Sequence, residues 1–176
     1  MKKEIEVVIL DIDFNNLIKK LKKLSAKEIY NGYFDDYFYD RKSKKLKKHN
    51  QALRLRKLDD NSAIVTFKDN PTFKEFKIRD EYEVTTNSFL ETKKIFEQLG
   101  YKLINKRKIK RTIYLLDKVY IDFHDLLDKN TPVYLEIEGP TKKQIIDIAK
   151  KLGFTKKDFH TYTTKEIIKK AKKLSS

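Results

Sequence analysis

The sequence predicts an α+β chain in which about eight mostly antiparallel strands close into a barrel with helices packed outside. Two observations point to this class. Short segments of strict alternation recur along the chain, each with one apolar and one charged face. Between and after them lie amphipathic segments opened by helix-capping residues, which would cover the apolar faces and leave the charged faces to the inside.

The first strand, Lys3 to Leu10, has Ile5, Val7 and Ile9 on one face and Glu4 and Glu6 on the other. Asp11-Ile12-Asp13 leads into an amphipathic helix from Phe14 to Leu24, with Asp13 as N-cap. Tyr30 to Asp40 is aromatic and suits a strand pair or one extended segment; a basic loop, Arg41 to Asn50, follows. Leu53-Arg54-Leu55-Arg56 and Ala63 to Lys68 read as strands around a turn at Asp59-Asp60-Asn61-Ser62. Asp69-Asn70-Pro71 turns the chain into the strand carrying Lys77, Arg79, Glu81 and Glu83.

Ser88-Phe89-Leu90-Glu91 is a capping box for a helix with the apolar stripe Phe89, Leu90, Ile95, Phe96 and Leu99, ended by Gly100. Two strands follow, Tyr101 to Leu116 with an expected break and Lys118 to Asp125. A loop through Asp128 to Pro132 delivers the last strand, Val133 to Glu138, stopped by Gly139-Pro140. Thr141 to Gln144 and Thr163 to Glu166 are two further boxes, each opening a helix. Residues 1–176 hold no linker or repeat long enough to divide them, so one domain is expected.

Composition removes several classes of function. No cysteine is present, which excludes a thiolate nucleophile, thiolate metal ligands and disulfides. No run of about eighteen apolar residues could span a bilayer, and no signal-peptide pattern follows the basic start, so the cytoplasm is the expected compartment and no membrane partner is expected. The net charge of +15 predicts attraction to polyanions such as nucleotides, polyphosphate or nucleic acid. Much of it is diffuse surface lysine, so nucleic acid is the less favoured partner.

On one strand, a carboxylate pair is ordinarily a solvated face. Glu-x-Glu, Arg-x-Arg, Arg-x-Glu-x-Glu and a second Glu-x-Glu are too regular for that, and in a closed lumen such charges must be paired or coordinate something. The carboxylates are Glu4, Glu6, Glu81, Glu83, Asp122, Glu136 and Glu138; the cations are Arg54, Arg56, Lys68, Lys77, Arg79 and Arg111. Oxygen-only ligands suit Mg²⁺ or Mn²⁺, and the cations suit phosphate. The two requirements together are those of phosphoryl or nucleotidyl transfer. A P-loop is absent. His49 and His160 lie in a loop and before a helix cap; His124 shares a face with Asp122 and is left outside the site.

In their order, Glu4-Ile5-Glu6, Leu53 to Arg56, Thr66-Phe67-Lys68, Arg79 to Glu83, Arg111 to Tyr114, Ile121-Asp122 and Tyr134 to Pro140 resemble the motifs of the CYTH superfamily. These are the triphosphate tunnel metalloenzymes, which include class IV adenylate cyclases, thiamine triphosphatases and inorganic triphosphatases. The resemblance implies a closed eight-stranded antiparallel tunnel. It further implies a divalent metal on Glu4, Glu6, Asp122, Glu136 and Glu138, and a triphosphate on Arg54, Arg56, Lys68, Arg79 and Arg111. Two positions depart from the pattern. Val8 stands where the family's first motif has lysine, so that one phosphate contact is either missing or supplied by another residue such as Lys77 or Lys108. Phe38, within Asp36 to Asp40, stands at the position of the thiamine triphosphatases' water-activating tyrosine, which Tyr37 or Tyr39 could replace only in a shifted register.

The expected activity is metal-dependent hydrolysis of a small-molecule triphosphate with Mg²⁺ or Mn²⁺, in a monomer or homodimer, with Lys68 and Arg56 as catalytic cations. One rival is an adenylate cyclase using the same groups. The other is a non-catalytic polyphosphate- or RNA-binding module.

Overall fold

A computed structural model describes residues 2–58 and 60–174; Asp59, in the turn expected before Asp60, lies outside them. Alternation in the first segment forms strand β1 (Lys2–Ile9), and Asp13 accepts a hydrogen bond from the Asn16 amide to open helix α1 (Phe14–Lys23). Tyr30 to Asp40 is part of a single strand, β2 (Lys27–Arg41). Helix α2 (Lys45–Lys48) interrupts the expected basic loop before β3 (Ala52–Lys57), β4 (Ala63–Lys68), the short β5 (Thr72–Phe73) and β6 (Lys77–Thr86). Helix α3 (Phe89–Gln98), β7 (Tyr101–Leu116), β8 (Val119–Asp125), β9 (Tyr134–Glu138) and α4 (Lys142–Leu152) follow, then one 3-10 turn and α5 (Thr164–Leu174). Strand β7 runs without the expected break.

Hydrogen-bonded strands follow one another as β1, β9, β8, β7, β2, β3, β4, β6, and β6 pairs back to β1; β5 hangs on β6. The result is the closed eight-stranded antiparallel barrel of an α+β fold. Among the described residues, no helix is long and apolar enough to cross a membrane.

The chain divides into two units by its internal contacts. In the unit of residues 4–32, 72–78 and 110–176, Val7, Ile9, Ile121, Phe123, Leu135 and Ile137 form the apolar strand face. Leu17 and Leu21 of α1 and Ile145, Ile148 and Leu152 of α4 cover it. At about 1.5–3 kcal/mol for each such side chain, this burial is the dominant favourable term, and it dictates that Glu4 and Glu6 turn to the opposite face. In the unit of residues 1–3, 33–71 and 79–109, Phe89 and Phe96 of α3 pack on Tyr39, Leu53, Leu55 and Ala63. Leu90, Ile95 and Leu99, expected within that stripe, are 55%, 55% and 60% exposed, because they flank the Phe89–Thr92–Phe96 line, Leu90 on one side and Ile95 and Leu99 on the other.

Of the capping boxes, the third is reciprocal: the Thr163 hydroxyl accepts from the Glu166 amide and the Glu166 carboxylate accepts from the Thr163 amide. At Ser88 only half forms, since its hydroxyl accepts from Glu91 while the Glu91 carboxylate turns to Lys94.

Candidate phosphate and metal site

Directly opposed residues on neighbouring strands share a face, so register decides which charges meet. In the first of these units, the pairs Glu6 with Glu138, Val8 with Glu136, Asp122 with Glu136, His124 with Tyr134 and Arg111 with His124 line up across β1, β9, β8 and β7. The face opposite the apolar core is therefore acidic. Glu4 and Glu6 are each 3% exposed and Asp122 is 5%.

Glu4, Glu6 and Glu138 each offer a carboxylate oxygen within 4.8 Å of the other two. Octahedral coordination at about 2.1 Å spaces ligand oxygens about 3 Å apart when adjacent and about 4 Å when opposite, so small side-chain movements would bring the three onto one hard cation. Three carboxylates this close repel one another, and burial strengthens the repulsion. The donor set thus fits Mg²⁺ or Mn²⁺. The Lys77 ammonium sits on the Glu6 carboxylate.

Asp122 and Glu136, expected with that trio, are engaged differently. Asp122 is gripped by both arms of the Arg111 guanidinium, whose Nε donates at 3.0 Å. Burial works to raise the Glu136 carboxyl, but His124, Lys77 and Arg111 outweigh it and hold it below the usual carboxylate range, with Glu4 acting against them.

The other unit holds the arginine set. Phe38 opposes Arg54, Asp36 opposes Arg56, Arg54 opposes Thr66, Thr66 opposes Glu83, and Lys68 opposes Glu81. Arg56 is bidentate on Asp36, with Nε at 2.7 Å and Nη2 at 2.9 Å, and its guanidinium lies 3.9 Å over the Phe34 ring. Arg54 donates to the Thr66 hydroxyl at 3.0 Å and approaches Glu83 and Asp36 at 3.7 and 4.0 Å. Burial and the neighbouring Arg56 push the Arg54 guanidinium down from its usual value, against Asp36, Glu81 and Glu83; an arginine stays charged through such a shift. Lys68 lies 3.4 Å from Glu81. Arg79 is partly buried on the same strand.

Both departures from the family pattern now have a structural setting. Val8 is fully buried beside Glu136, and the cation beside the acids of β1 is Lys77. Lys108 lies over the Tyr33 ring instead, 5.1 Å from its centre. Phe38 faces the arginine side, because Tyr37 opposes Leu55 and Tyr39 is buried in the aromatic core. No shifted register brings either tyrosine to that side.

Two residues the sequence did not mark belong to these constellations. Asp36 is 4% exposed and bridges Arg54 and Arg56. His124, 7% exposed, places Nε2 3.1 Å from Asp122 and 3.3 Å from Glu136. Its place on the Asp122 face was visible in the alternation; its nearness to Glu136 depends on the β8–β9 register.

A closed eight-stranded antiparallel barrel carrying buried carboxylates and guanidinium–carboxylate pairs is the class of protein that the fold and these residues define. The chain belongs to the CYTH domain family, whose model matches residues 2–169. A Methanocaldococcus jannaschii protein, provisionally named adenylate cyclase, is 28% identical over 148 residues, covering 84% of this chain and 81% of that protein. Among solved structures, a Vibrio parahaemolyticus protein with the same provisional name superposes with a TM-score of 0.81 at 16% identity, covering 96% of this chain and 98% of that one. The PH1012 protein of Pyrococcus horikoshii gives 0.74 at 24% identity, covering 93% and 98%. These two likenesses are of fold. CYTH tunnel enzymes depend on a metal, and the acidic trio fits that property.

Proposed function

We propose that this protein cleaves a phosphoanhydride bond of a small-molecule triphosphate by metal-dependent hydrolysis. The observation that carries the reading is the convergence of the buried Glu4 and Glu6 and the half-buried Glu138 carboxylates within 4.8 Å of one another. In this reading Glu4, Glu6, Asp122, Glu136 and Glu138 hold Mg²⁺ or Mn²⁺. When bound, the ion supplies charge neutralisation for the phosphate oxygens and polarises the bond that breaks.

Arg54, Arg56, Lys68, Lys77, Arg79 and Arg111 bind the triphosphate. Asp36 holds Arg56, Glu81 holds Lys68 and Asp122 holds Arg111, so these three cations are oriented before substrate arrives and little reorganisation of them is left for the reaction. Arg56 offers a planar fork to two phosphate oxygens. Lys68, a point charge, donates to an oxygen of the attacked phosphoryl group, and Glu81 keeps it aimed. Hydrolysis needs only these groups and water. Inorganic triphosphate, thiamine triphosphate and nucleoside triphosphates all present the chemistry they recognise.

A second reading, adenylate cyclase, is favoured by the name of the archaeal relative. It uses the same groups but adds a seat for the ribose, whose 3′-hydroxyl would attack the α-phosphorus. Incubation of purified protein with each triphosphate and Mg²⁺ or Mn²⁺ decides between them: phosphate release supports the hydrolase, cyclic AMP with pyrophosphate the cyclase. Glu136→Ala and Arg54→Ala are expected to lower turnover at least a hundredfold with the fold intact. RNA binding that weakens steeply with salt, with no turnover of any triphosphate, would replace both readings by a binding module.

A further inference from the structure

Strand pairing places His124 opposite Tyr134 and, on the same face one pair along, Asp122 opposite Glu136. His124 and Tyr134 are 7% and 1% exposed, and their rings lie 5.0 Å apart. The Tyr134 hydroxyl is 3.2 Å from His124 Nδ1, while Nε2 points at Asp122 and Glu136 at 3.1 and 3.3 Å.

The proton positions follow from what each partner can do. An ionised carboxylate only accepts, so Nε2 carries hydrogen. The Tyr134 hydroxyl can donate to Nδ1 or accept from it, so it holds the ring in either protonation state. On its other side the ring places Nε2 between two carboxylates, at 3.1 and 3.3 Å.

We propose that His124 is a positioning residue: held by Tyr134, it sets the Asp122 and Glu136 carboxylates relative to one another in the arrangement that would receive a divalent cation. Arg111 grips Asp122 from β7. His124 is therefore the group that sets Glu136 relative to Asp122. The proposal rests on the reading that these carboxylates hold a metal, and it assigns His124 no bond to the ion.

Mn²⁺ binding to the purified protein at pH 8, read from the electron paramagnetic resonance of the free ion, tests it without any substrate. His124→Ala is expected to bind Mn²⁺ about 10–100-fold more weakly than wild type, the usual effect of removing such a partner. His124→Gln, whose amide can still donate, is expected to recover most of the loss. Tyr134→Phe, which releases the ring, is expected to lose at least threefold. Pulsed measurements on the wild type should show no directly coordinated nitrogen.

Equal Mn²⁺ affinity in wild type and His124→Ala overturns the proposal, and so does an imidazole nitrogen bound to the ion or a Gln variant as weak as the Ala variant. Should His124→Ala fail to fold by circular dichroism, the Gln and Phe variants decide alone, and wild-type affinity in Tyr134→Phe then overturns the lock. A wild-type protein that binds no Mn²⁺ sinks the metal reading itself and the proposal with it. Binding by wild type with unaffected variants sinks only the role of His124.

Discussion

The Arg56–Asp36 pair shows how tightly single residues are bound to one another in this protein. Both are nearly buried and joined by two short hydrogen bonds, so neither can lose its partner cheaply. Arg56→Ala is expected to cost about 3–5 kcal/mol in urea unfolding, because it strands a buried carboxylate. The double variant Arg56→Ala/Asp36→Ala should be more stable than the single one; a double variant equal to the sum of its parts would mean the pair is not coupled. Phe38 is the other informative position. It opposes Arg54 on the charged side, where a hydroxyl could take part in activating water. Phe38→Tyr is expected to raise triphosphate hydrolysis by about tenfold or more, read as phosphate release at saturating substrate. Alternation alone marks Glu4, Glu6, Arg54 and Arg56 as residues sharing a face. Asp36 could not be marked in that way, since its meaning lies in the β2–β3 register, which puts it opposite a residue twenty positions away.

Among elements, the end of β2 and helix α2 form the most dependent unit. Asp40, 1% exposed, accepts backbone hydrogen bonds from Arg41 at 2.7 Å and from Leu46 and Lys47 at 3.0 Å, so one carboxylate organises the whole basic loop. Burial acts to raise its pKa, but the three amides and the Lys47 charge overcome it and hold the carboxyl below the usual range. A depressed carboxyl stabilises the fold fully above the unfolded value, near pH 3.9, and loses that contribution as pH falls through the folded value. Asp40→Ala is therefore expected to lower stability at neutral pH by about 1–3 kcal/mol. The gap to wild type should narrow below about pH 4 in denaturant unfolding; a gap independent of pH would assign the loss to packing instead. Helix α3 teaches the opposite lesson. Its sequence offers five apolar residues as a stripe, but only Phe89 and Phe96 of these are buried, because the apolar patch that β2, β3 and β4 present is too narrow to cover a wider face.

At the scale of the molecule, the acidic face makes stability depend on cations. If Glu4, Glu6 and Glu138 hold a divalent ion, ligand binding to the folded state alone stabilises it by about 2.7 kcal/mol at a hundred times the dissociation constant. Millimolar Mn²⁺ or Mg²⁺ should raise the melting temperature, EDTA should reverse the rise, and sodium chloride at equal ionic strength should not reproduce it. An unchanged melting temperature would count against the metal site. By itself the sequence determined the alternating strands, the capped helices and the separation of an apolar from a charged face, because these follow from local periodicity of 2.0 or 3.6 residues and from which side chains water rejects. Only the tertiary structure decided which charges meet: Lys77 on Glu6, Asp36 under Arg56, and His124 between Asp122 and Glu136. Those encounters depend on strand register and barrel closure, set by the fit of all the apolar faces at once, which no single stretch of sequence contains.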